Sequence, residues 1–304
     1  MITKLKNVPY YIRRLPEKLK LCYKVLRAPY FKWVPPGHFY SALPDMDEVK
    51  NREGVLFAKP PGGLLGVDLN QELQKKLLKA FEGFYSTLPF ERSHNPQSRF
   101  FRPNGSFPFQ DAFTLYAMIR HMKPARIIEV GCGASSCVIL DSCESLRLNT
   151  KITFIEPYPE LLLKYVRPGD SSRFELKKEF IQNVCLDSFG DLNEGDILFI
   201  DTSHVSKVGS DVNFIFFEIL PLLKKGVIIH FHDIFYPFEY PKDWFYKGMF
   251  WNEAYLLRAF LMFNRDFEIL MFNSFLNYVM ADDIKSCFPL FSEEPGASLW
   301  LRRT

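Results

Sequence analysis

The chain has 304 residues, of which 47% are hydrophobic and 24% are charged. This balance is typical of a globular protein and argues against a largely disordered chain. No stretch approaches the roughly 20 apolar residues that a membrane-spanning helix requires, and the N-terminus lacks the pattern of a secretory signal. We therefore expect a cytoplasmic protein with one large domain, alone or with a smaller accessory segment.

The charge is unevenly distributed. Residues 1–33 contain nine Lys or Arg and one acid, a net charge of +8, whereas the whole chain carries +3. The mildly acidic remainder excludes a uniformly basic nucleic-acid-binding protein, so no nucleic-acid partner is predicted. Basic and apolar residues alternate at near-helical spacing over 1–33, which predicts a basic helix. Three interpretations of such a helix are open. It presents a solvated charged face, it binds peripherally to the inner face of an anionic membrane, or it contacts another subunit of a homo-oligomer.

Six cysteines are present, and none forms a CxxC pair. This pattern argues against a structural zinc site and predicts free, buried thiols.

The first third of the chain has few regular elements. Residues 34–66 are rich in Pro and Gly and predict an extended connection with little regular structure, followed by a helix over 69–84. A polar stretch then marks a boundary. We predict an accessory segment over 1–95 and the main domain over 96–304.

From residue 110 the pattern becomes regular. A helix over 110–122 precedes a series of short apolar runs, with helical segments such as 211–223 between several of them; the runs lie at 126–130, 151–155, 174–180, 197–200 and 226–231. This alternation predicts an α/β fold with a parallel sheet and helices on both faces. After a helix over 251–263, the runs at 267–272 and 298–302 predict an antiparallel hairpin that closes the sheet.

A glycine turn follows the first predicted strand and opens a helix, with the sequence Glu129-Val-Gly131-Cys-Gly133-Ala-Ser135-Ser. Glycines at such a turn let the backbone approach a ligand closely. Glu156 ends the next strand, where a carboxylate can accept hydrogen bonds from ribose hydroxyls. These features predict a nucleoside-binding α/β domain.

A dinucleotide site would need a third glycine at position 136, where this chain has serine. With Glu129 two residues before the first glycine, the segment instead resembles the class I S-adenosylmethionine-dependent methyltransferases over roughly 110–304. The resemblance implies a Rossmann-like, mostly parallel sheet. It also implies S-adenosylmethionine as the cofactor, held by residues at the sheet edge: Glu129, Gly131, Gly133, Ser135, Glu156, Gln182 and Asp201. Asp111, on the preceding helix, either covers the cofactor or caps its own helix.

Two polar segments, Asp201-Thr-Ser-His204 and His230-Phe-His232-Asp233, follow the fourth and fifth predicted strands. Methyl transfer to a hydroxyl requires a positioned nucleophile and removal of its proton. His232 is the favoured base, oriented by Asp201 and Asp233. His204 is a second candidate, or a loop histidine that caps the helix at 211. We assign His230 to the core.

The same positions also resemble the metal-dependent small-molecule O-methyltransferases. That resemblance implies a divalent cation held by Asp201, His232 and Asp233. Magnesium and calcium prefer oxygen ligands, so a histidine in this set weakens the metal prediction and strengthens His232 as a base.

Longer strings, among them Pro35-Pro-Gly-His-Phe-Tyr-Ser41 and Gly296-Ala-Ser-Leu-Trp-Leu-Arg302, resemble an uncharacterised bacterial group of class I methyltransferases. Its neighbours act on natural products and sugars, which implies a hydroxyl of a sugar, glycolipid or secondary metabolite as the acceptor. The segment 234–250 has eight aromatic residues and either forms an acceptor lid or packs as a small core. Two alternatives remain open: a non-haem iron hydroxylase on the same scaffold, and a membrane-docked, non-catalytic cofactor-binding protein.

Overall fold

The computed structural model describes residues 19–20, 22–23, 27, 33–90, 98–102 and 104–304. Two compact units are present, Met1–Lys59 and Pro60–Thr304. The basic helix predicted over 1–33 lies almost entirely outside the described residues. Within the described part of the chain, no helix is long and apolar enough to cross a membrane.

The first unit contains two short helices, α1 (Met46–Asn51) and α2 (Glu53–Leu56), where extended chain was expected. The Asp45 side chain accepts hydrogen bonds from the backbone N–H groups of Asp47 and Glu48 and so caps α1. The prediction of an extended connection over 34–66 is therefore wrong over 46–56. Trp33 stacks on Tyr40, and both rings are exposed. The peripheral membrane contact of the basic N-terminal segment stays a prediction.

The second unit alternates strands and helices as the sequence predicts. Its strands are β1 (Arg126–Val130), β2 (Lys151–Ile155), β3 (Phe174–Lys177), β4 (Ile197–Ile200), β5 (Ile228–Phe231), β6 (Phe267–Phe272) and β7 (Leu299–Arg303). Its helices are α3 (Gln71–Glu82), α4 (Phe109–Met122), α5 (Ala134–Ser145), α6 (Glu160–Tyr165), α7 (Asp187–Gly190), α8 (Asp211–Phe214), α9 (Lys242–Tyr246), α10 (Glu253–Leu261), α11 (Asn273–Val279), α12 (Ala281–Cys287) and α13 (Pro289–Glu293).

All seven strands form one sheet in the order β3-β2-β1-β4-β5-β7-β6. Strands β1 to β5 pair in parallel, and β7 pairs antiparallel with both β5 and β6. The predicted fold class is confirmed. The hairpin prediction is wrong in its connection, because α11, α12 and α13 lie between the two antiparallel strands.

Each face of the sheet carries its own apolar core, because successive strand residues point to opposite faces. In β1, for example, Ile127 packs in one cluster and Ile128 in the other. The helix predicted over 211–223 is broken. After α8 the backbone continues as a π turn (Ile215–Ile219) and a 3-10 turn (Leu220–Leu222) that contains Pro221, which cannot donate a helical hydrogen bond.

Residues 60–90 belong to the sheet unit. The buried side chain of Gln74, on α3, accepts a hydrogen bond from the backbone N–H of Phe272 at 2.8 Å. The same amide donates to the carbonyl of Leu69 at 2.5 Å. The boundary between compact units therefore lies at Lys59–Pro60, earlier than the predicted position 95.

All six cysteines are free. Cys137 and Cys143 are buried, as predicted, whereas the prediction of buried thiols is wrong for three exposed ones: Cys22, Cys185 and Cys287.

Candidate functional site

The carboxyl ends of the central strands bring the predicted motifs to one edge of the sheet. The backbone N–H of Gly131 donates to the carbonyl of Ile155 at 3.1 Å, and that of Asp201 donates to Val130 at 2.9 Å. The N–H of His232 donates to Ile200 at 3.0 Å. The glycine turn, Asp201 and His232 thus lie side by side, where ligands bind in open α/β sheets.

Gly131 is required by the geometry of this edge. Its φ is +84°, in the region that favours glycine, and a Cβ atom would lie 1.6 Å from the carbonyl oxygen of Asp201. The glycine turn can contact β4 this closely only because no side chain intervenes.

Glu129 stabilises the turn from below. Its fully buried carboxylate accepts hydrogen bonds of 2.5 Å from the hydroxyls of both Ser135 and Ser136. Burial raises the pKa of Glu129 to about 8, against the effect of these two hydrogen bonds. Glu129, Gly133 and Ser135 are not among the lining residues of the cavity beside the turn. Their contact with a cofactor stays a prediction.

A cavity of about 400 Å³ opens between the ends of β1, β2 and β4 and is lined by Gly131, Glu156, Gln182 and Asp201. These four sequence-predicted cofactor residues are therefore brought together. The Glu156 carboxylate accepts from the N–H groups of Cys132 at 3.2 Å and Tyr158 at 2.8 Å, and it lines the cavity. Gln182 donates its amide N–H to Gly209 at 2.9 Å, while its buried Oε1 has no hydrogen-bond partner in the described part of the chain.

A second cavity of about 670 Å³ adjoins the first, and both are lined by Asp201. Phe107, Phe235, Trp244 and Trp251 form its aromatic walls. No Lys or Arg lines it among the described residues.

The aromatic segment 234–250 has both of its predicted roles in part. Phe235 and Trp244 line the second cavity, whereas Phe238 and Tyr240 are buried in the core. Movement of this segment as a lid stays a prediction.

At the base of this cavity, His232 is held from behind by Asp111. The Nε2 atom of His232 lies 3.2 Å from Oδ2 of Asp111. The same carboxylate accepts three further hydrogen bonds, from the backbone N–H groups of Ala297 and Ser298 and from the amide of Asn273. Burial alone would raise the pKa of Asp111, but the contacts with His232 and the backbone lower it. Asp111 therefore orients His232; neither role inferred from the sequence is supported by these contacts.

The other ring nitrogen of His232, Nδ1, is buried beside two carboxylates that line the cavity. It lies 3.5 Å from a carboxylate oxygen of Asp201 and 3.6 Å from one of Asp233 and makes no hydrogen bond within the described residues. Burial opposes a charge on the ring, but the carboxylates of Asp233, Asp201 and Asp111 raise the pKa of His232 well above its usual value.

His204 is buried and faces the same two carboxylates. Its Nδ1 lies 2.8 Å from Oε2 of Glu253, and its Nε2 lies 3.3 Å from Asp201 and 3.7 Å from Asp233. Burial would lower the pKa of His204, but the contacts with Asp201 and Glu253 raise it to about 10. The capping interpretation of His204 is wrong, because Ser210 caps the helix at 211.

Potential metal ligands converge at one point of this cluster. Ligand atoms of Asp201, His204 and Asp233 all lie within 4.8 Å of one another. This group of potential ligands contains His204, whereas the set predicted from the sequence contained His232. His230 lies in the core as predicted, with its ring stacked on Phe199 and its Nε2 2.8 Å from the hydroxyl of Ser298.

Sequence reasoning missed two contributors to the site. Glu253 lies 49 residues beyond His204, and no local motif connects the two. Gly296 could have been found only with the fold in hand, because a Cβ atom there would lie 2.1 Å from Oδ1 of Asp111.

The strand order, the glycine turn after β1 and the acid after β2 together define the class I methyltransferase architecture. Residues 128–234 match the family model described as "Methyltransferase domain". An uncharacterised protein of Archaeoglobus fulgidus is 36% identical over 173 residues, which cover 55% of this chain and 76% of the relative. The chain belongs to the same family as this archaeal protein, and its residues 128–234 form a methyltransferase domain.

Solved structures with a similar course of the chain include the methyltransferase PaMTH1 of Podospora anserina bound to S-adenosylhomocysteine. It is 16% identical, with 87% of this chain and 99% of that one covered and a TM-score of 0.41. The O-methyltransferase TomG of Streptomyces achromogenes is 14% identical, with coverages of 84% and 96% and a TM-score of 0.41.

Proposed function

We propose that this protein transfers the methyl group of S-adenosylmethionine to a hydroxyl of a neutral, ring-shaped small molecule. The observation that carries the proposal is the pair of adjoining cavities with Asp201 in both walls. One offers groups suited to a nucleoside, and the other combines aromatic walls with a buried histidine. S-adenosylmethionine supplies an electrophilic methyl group on a sulfonium centre.

The residues of the first cavity fit this cofactor. Glu156 carries a carboxylate that can accept hydrogen bonds from two ribose hydroxyls. The unpaired Oε1 of Gln182 can accept one from an amino group of the base, which would relieve a buried polar atom of its unsatisfied state. Gly131 leaves the backbone open to close approach.

In the second cavity, His232 is the proposed base. Asp111 holds Nε2, so Nδ1 is the atom that would take up the proton of the acceptor hydroxyl. The neighbouring carboxylates raise the pKa of His232 and so favour its protonated form, which cannot act as a base. The positive charge of a cofactor bound beside Asp201 would lower that pKa and favour the neutral imidazole.

The walls of the second cavity support the acceptor class. Trp244, Trp251 and Phe235 offer flat apolar faces to a sugar or other ring. The carboxylates of Asp201, Asp233 and Glu294, with no Lys or Arg lining the described cavity, disfavour phosphorylated or carboxylated acceptors. A glycan, glycolipid headgroup or neutral secondary metabolite fits these conditions.

The proposal is tested with S-adenosylmethionine that carries a labelled methyl group, incubated with the protein and a fractionated small-molecule extract. We expect the label to move into a neutral fraction only when the protein is present. Bound S-adenosylhomocysteine together with oxidised, unmethylated products would contradict methyl transfer and favour a hydroxylase.

Replacement of Glu156 by alanine should weaken binding of S-adenosylhomocysteine by about 10- to 100-fold, because two hydrogen bonds to a charged group are lost. Isothermal titration calorimetry measures the change. Glu160→Ala, which removes an exposed carboxylate on α6, is the matched control and should bind as the wild type does. Equal affinities of the two variants would remove Glu156 from the cofactor site.

Replacement of His232 by alanine should lower methyl transfer by about 100- to 10,000-fold, the usual contribution of a general base. The affinity for S-adenosylhomocysteine should stay within about threefold. His121→Ala, at an exposed position on α4, should leave both quantities unchanged. A variant at position 232 that transfers methyl groups at the wild-type rate would exclude the base role.

A further inference from the structure

One wall of the second cavity is fastened to the helix that also orients His232. The backbone N–H of Phe109, the first residue of α4, donates to Oε2 of Glu294 at 3.1 Å. Three residues further along the chain, the N–H of Ala297 donates to the carboxylate of Asp111 at 2.9 Å, and that carboxylate holds His232. The first turn of α4 therefore fixes Glu294 and His232 relative to each other, and both line the cavity.

The carboxylate of Glu294 keeps one oxygen free for a bound molecule. Its Oε1 accepts no hydrogen bond from the described residues, and the side chain is 26% exposed. Behind it, Nη1 of the buried Arg102 lies 3.8 Å from this oxygen, and the guanidinium packs on the ring of Phe109. Because Arg102 compensates part of the charge, Glu294 suits a neutral hydroxyl better than a cationic group.

The other polar side chains of this wall already have partners. The amide of Asn104 donates to the carbonyls of Phe101 and Phe107, and its oxygen accepts from the backbone N–H groups of Ser106 and Phe107. The hydroxyl of Ser106 donates to the same oxygen at 3.2 Å. On this part of the described wall, Glu294 is thus the side chain with an unused acceptor.

We infer that Glu294 is a specificity-determining residue that selects acceptors with at least two hydroxyl groups, and this inference rests on the proposed methyl transfer. Glu294 accepts a hydrogen bond from one hydroxyl while another is presented to His232. A carboxylate forms a stronger hydrogen bond with a hydroxyl than a neutral acceptor does. The rings of Trp244 and Trp251, which cross at 83° with centroids 5.3 Å apart, give the bound ring a corner to pack into.

Discrimination follows from the same contact. An acceptor with a single hydroxyl cannot reach both Glu294 and His232, so it loses the charge-assisted hydrogen bond and displaces water from a carboxylate without replacing it. Glu294 does not touch the reacting atoms, so its contribution is to binding and not to the chemical step.

The test is transfer of the labelled methyl group to the neutral fraction of a small-molecule extract, measured at several concentrations of that fraction. In Glu294→Gln, the concentration that gives half the maximal rate should rise by about 10-fold or more, with the maximal rate within about threefold of the wild type. The affinity for S-adenosylhomocysteine should stay within about twofold. Glu293→Gln, at the exposed neighbouring position on α13, should leave all three quantities unchanged.

The methylated product provides a second measurement that needs no variant. Hydrogen–deuterium exchange followed by mass spectrometry should find at least one exchangeable hydroxyl left in the labelled molecule. A product without one, or wild-type behaviour of Glu294→Gln, would overturn the inference and leave methyl transfer standing. Weaker binding of S-adenosylhomocysteine in Glu294→Gln would overturn it as well, by placing Glu294 in the cofactor site. No transfer by the wild type would overturn the proposed function and the inference together.

Discussion

Replacement of Gly131 by alanine is expected to weaken cofactor binding strongly. The new Cβ atom would lie 1.6 Å from the carbonyl oxygen of Asp201, far inside van der Waals contact, and the φ of +84° adds strain of about 1–3 kcal/mol for any other residue. Because the obstacle is backbone at the end of β4, the glycine turn must move away from the cavity. We expect the affinity for S-adenosylhomocysteine to fall by about 100-fold or more, equivalent to about 2.8 kcal/mol.

Gly248→Ala is the matched control. Its φ is +85°, but a Cβ atom there would meet nothing within 4 Å. The control carries the same backbone strain without the collision, so it should lose stability and keep cofactor binding. If both variants bind S-adenosylhomocysteine equally well, the close contact between the turn and β4 is not needed for the site.

Replacement of Arg99 by alanine is expected to cause the largest loss of stability. The buried guanidinium contacts three carboxylates: Asp141 at 2.6 Å, Glu144 at 2.7 Å and Asp170 at 2.6 Å. Removing it leaves Asp141 and Asp170 buried without their main countercharge, which typically costs about 3–5 kcal/mol. Urea denaturation followed by circular dichroism measures the free energy of unfolding.

Arg126→Ala is the matched control, because it removes an arginine whose ion pair is partly exposed. Arg126 is partly exposed, and its guanidinium lies 3.7 Å from a carboxylate oxygen of Asp191. An exposed pair of this kind contributes less than about 1 kcal/mol. A loss below about 1 kcal/mol in Arg99→Ala as well would mean that the three carboxylates find other partners, such as Arg167 or Arg173.

Local patterns predicted the sheet domain well. Short apolar runs marked the first five strands, and the glycine turn and Glu156 were placed by their position after a strand. The parallel arrangement then brings residues such as Gly131, Asp201 and His232 to one edge without further information, because the carboxyl ends of parallel strands share that edge.

Polar residues with distant partners were harder to predict. The polar stretch that contains Arg99 suggested a domain boundary. Arg99 is instead buried, and the carboxylates that pair with it lie 42 and 71 positions further along the chain. Asp111 and Glu253 were missed for the same reason, because each orients a histidine that is remote in sequence. Such pairs are fixed by tertiary packing, and a single sequence contains no periodic signal for them.

For Glu129, the sequence predicted the position of the residue correctly but not its hydrogen-bond partners. The sequence placed it at the end of β1, which the structure confirms. Both of its oxygens, however, are used by Ser135 and Ser136. Ser135 and Ser136 lie in the first turn of α5, so their spacing from Glu129 could be read from the sequence. That their hydroxyls reach the carboxylate depends on the geometry of the turn and the helix.

We propose that the cavity between Gly131, Glu156 and Gln182 binds the nucleoside cofactor of a methyltransferase. Calorimetric titration of the full chain with S-adenosylhomocysteine tests this binding most directly. We predict one molecule bound per chain in the wild type and binding at least about 100-fold weaker in Gly131→Ala. No binding by a folded wild-type protein, or equal binding by the two proteins, would contradict the claim.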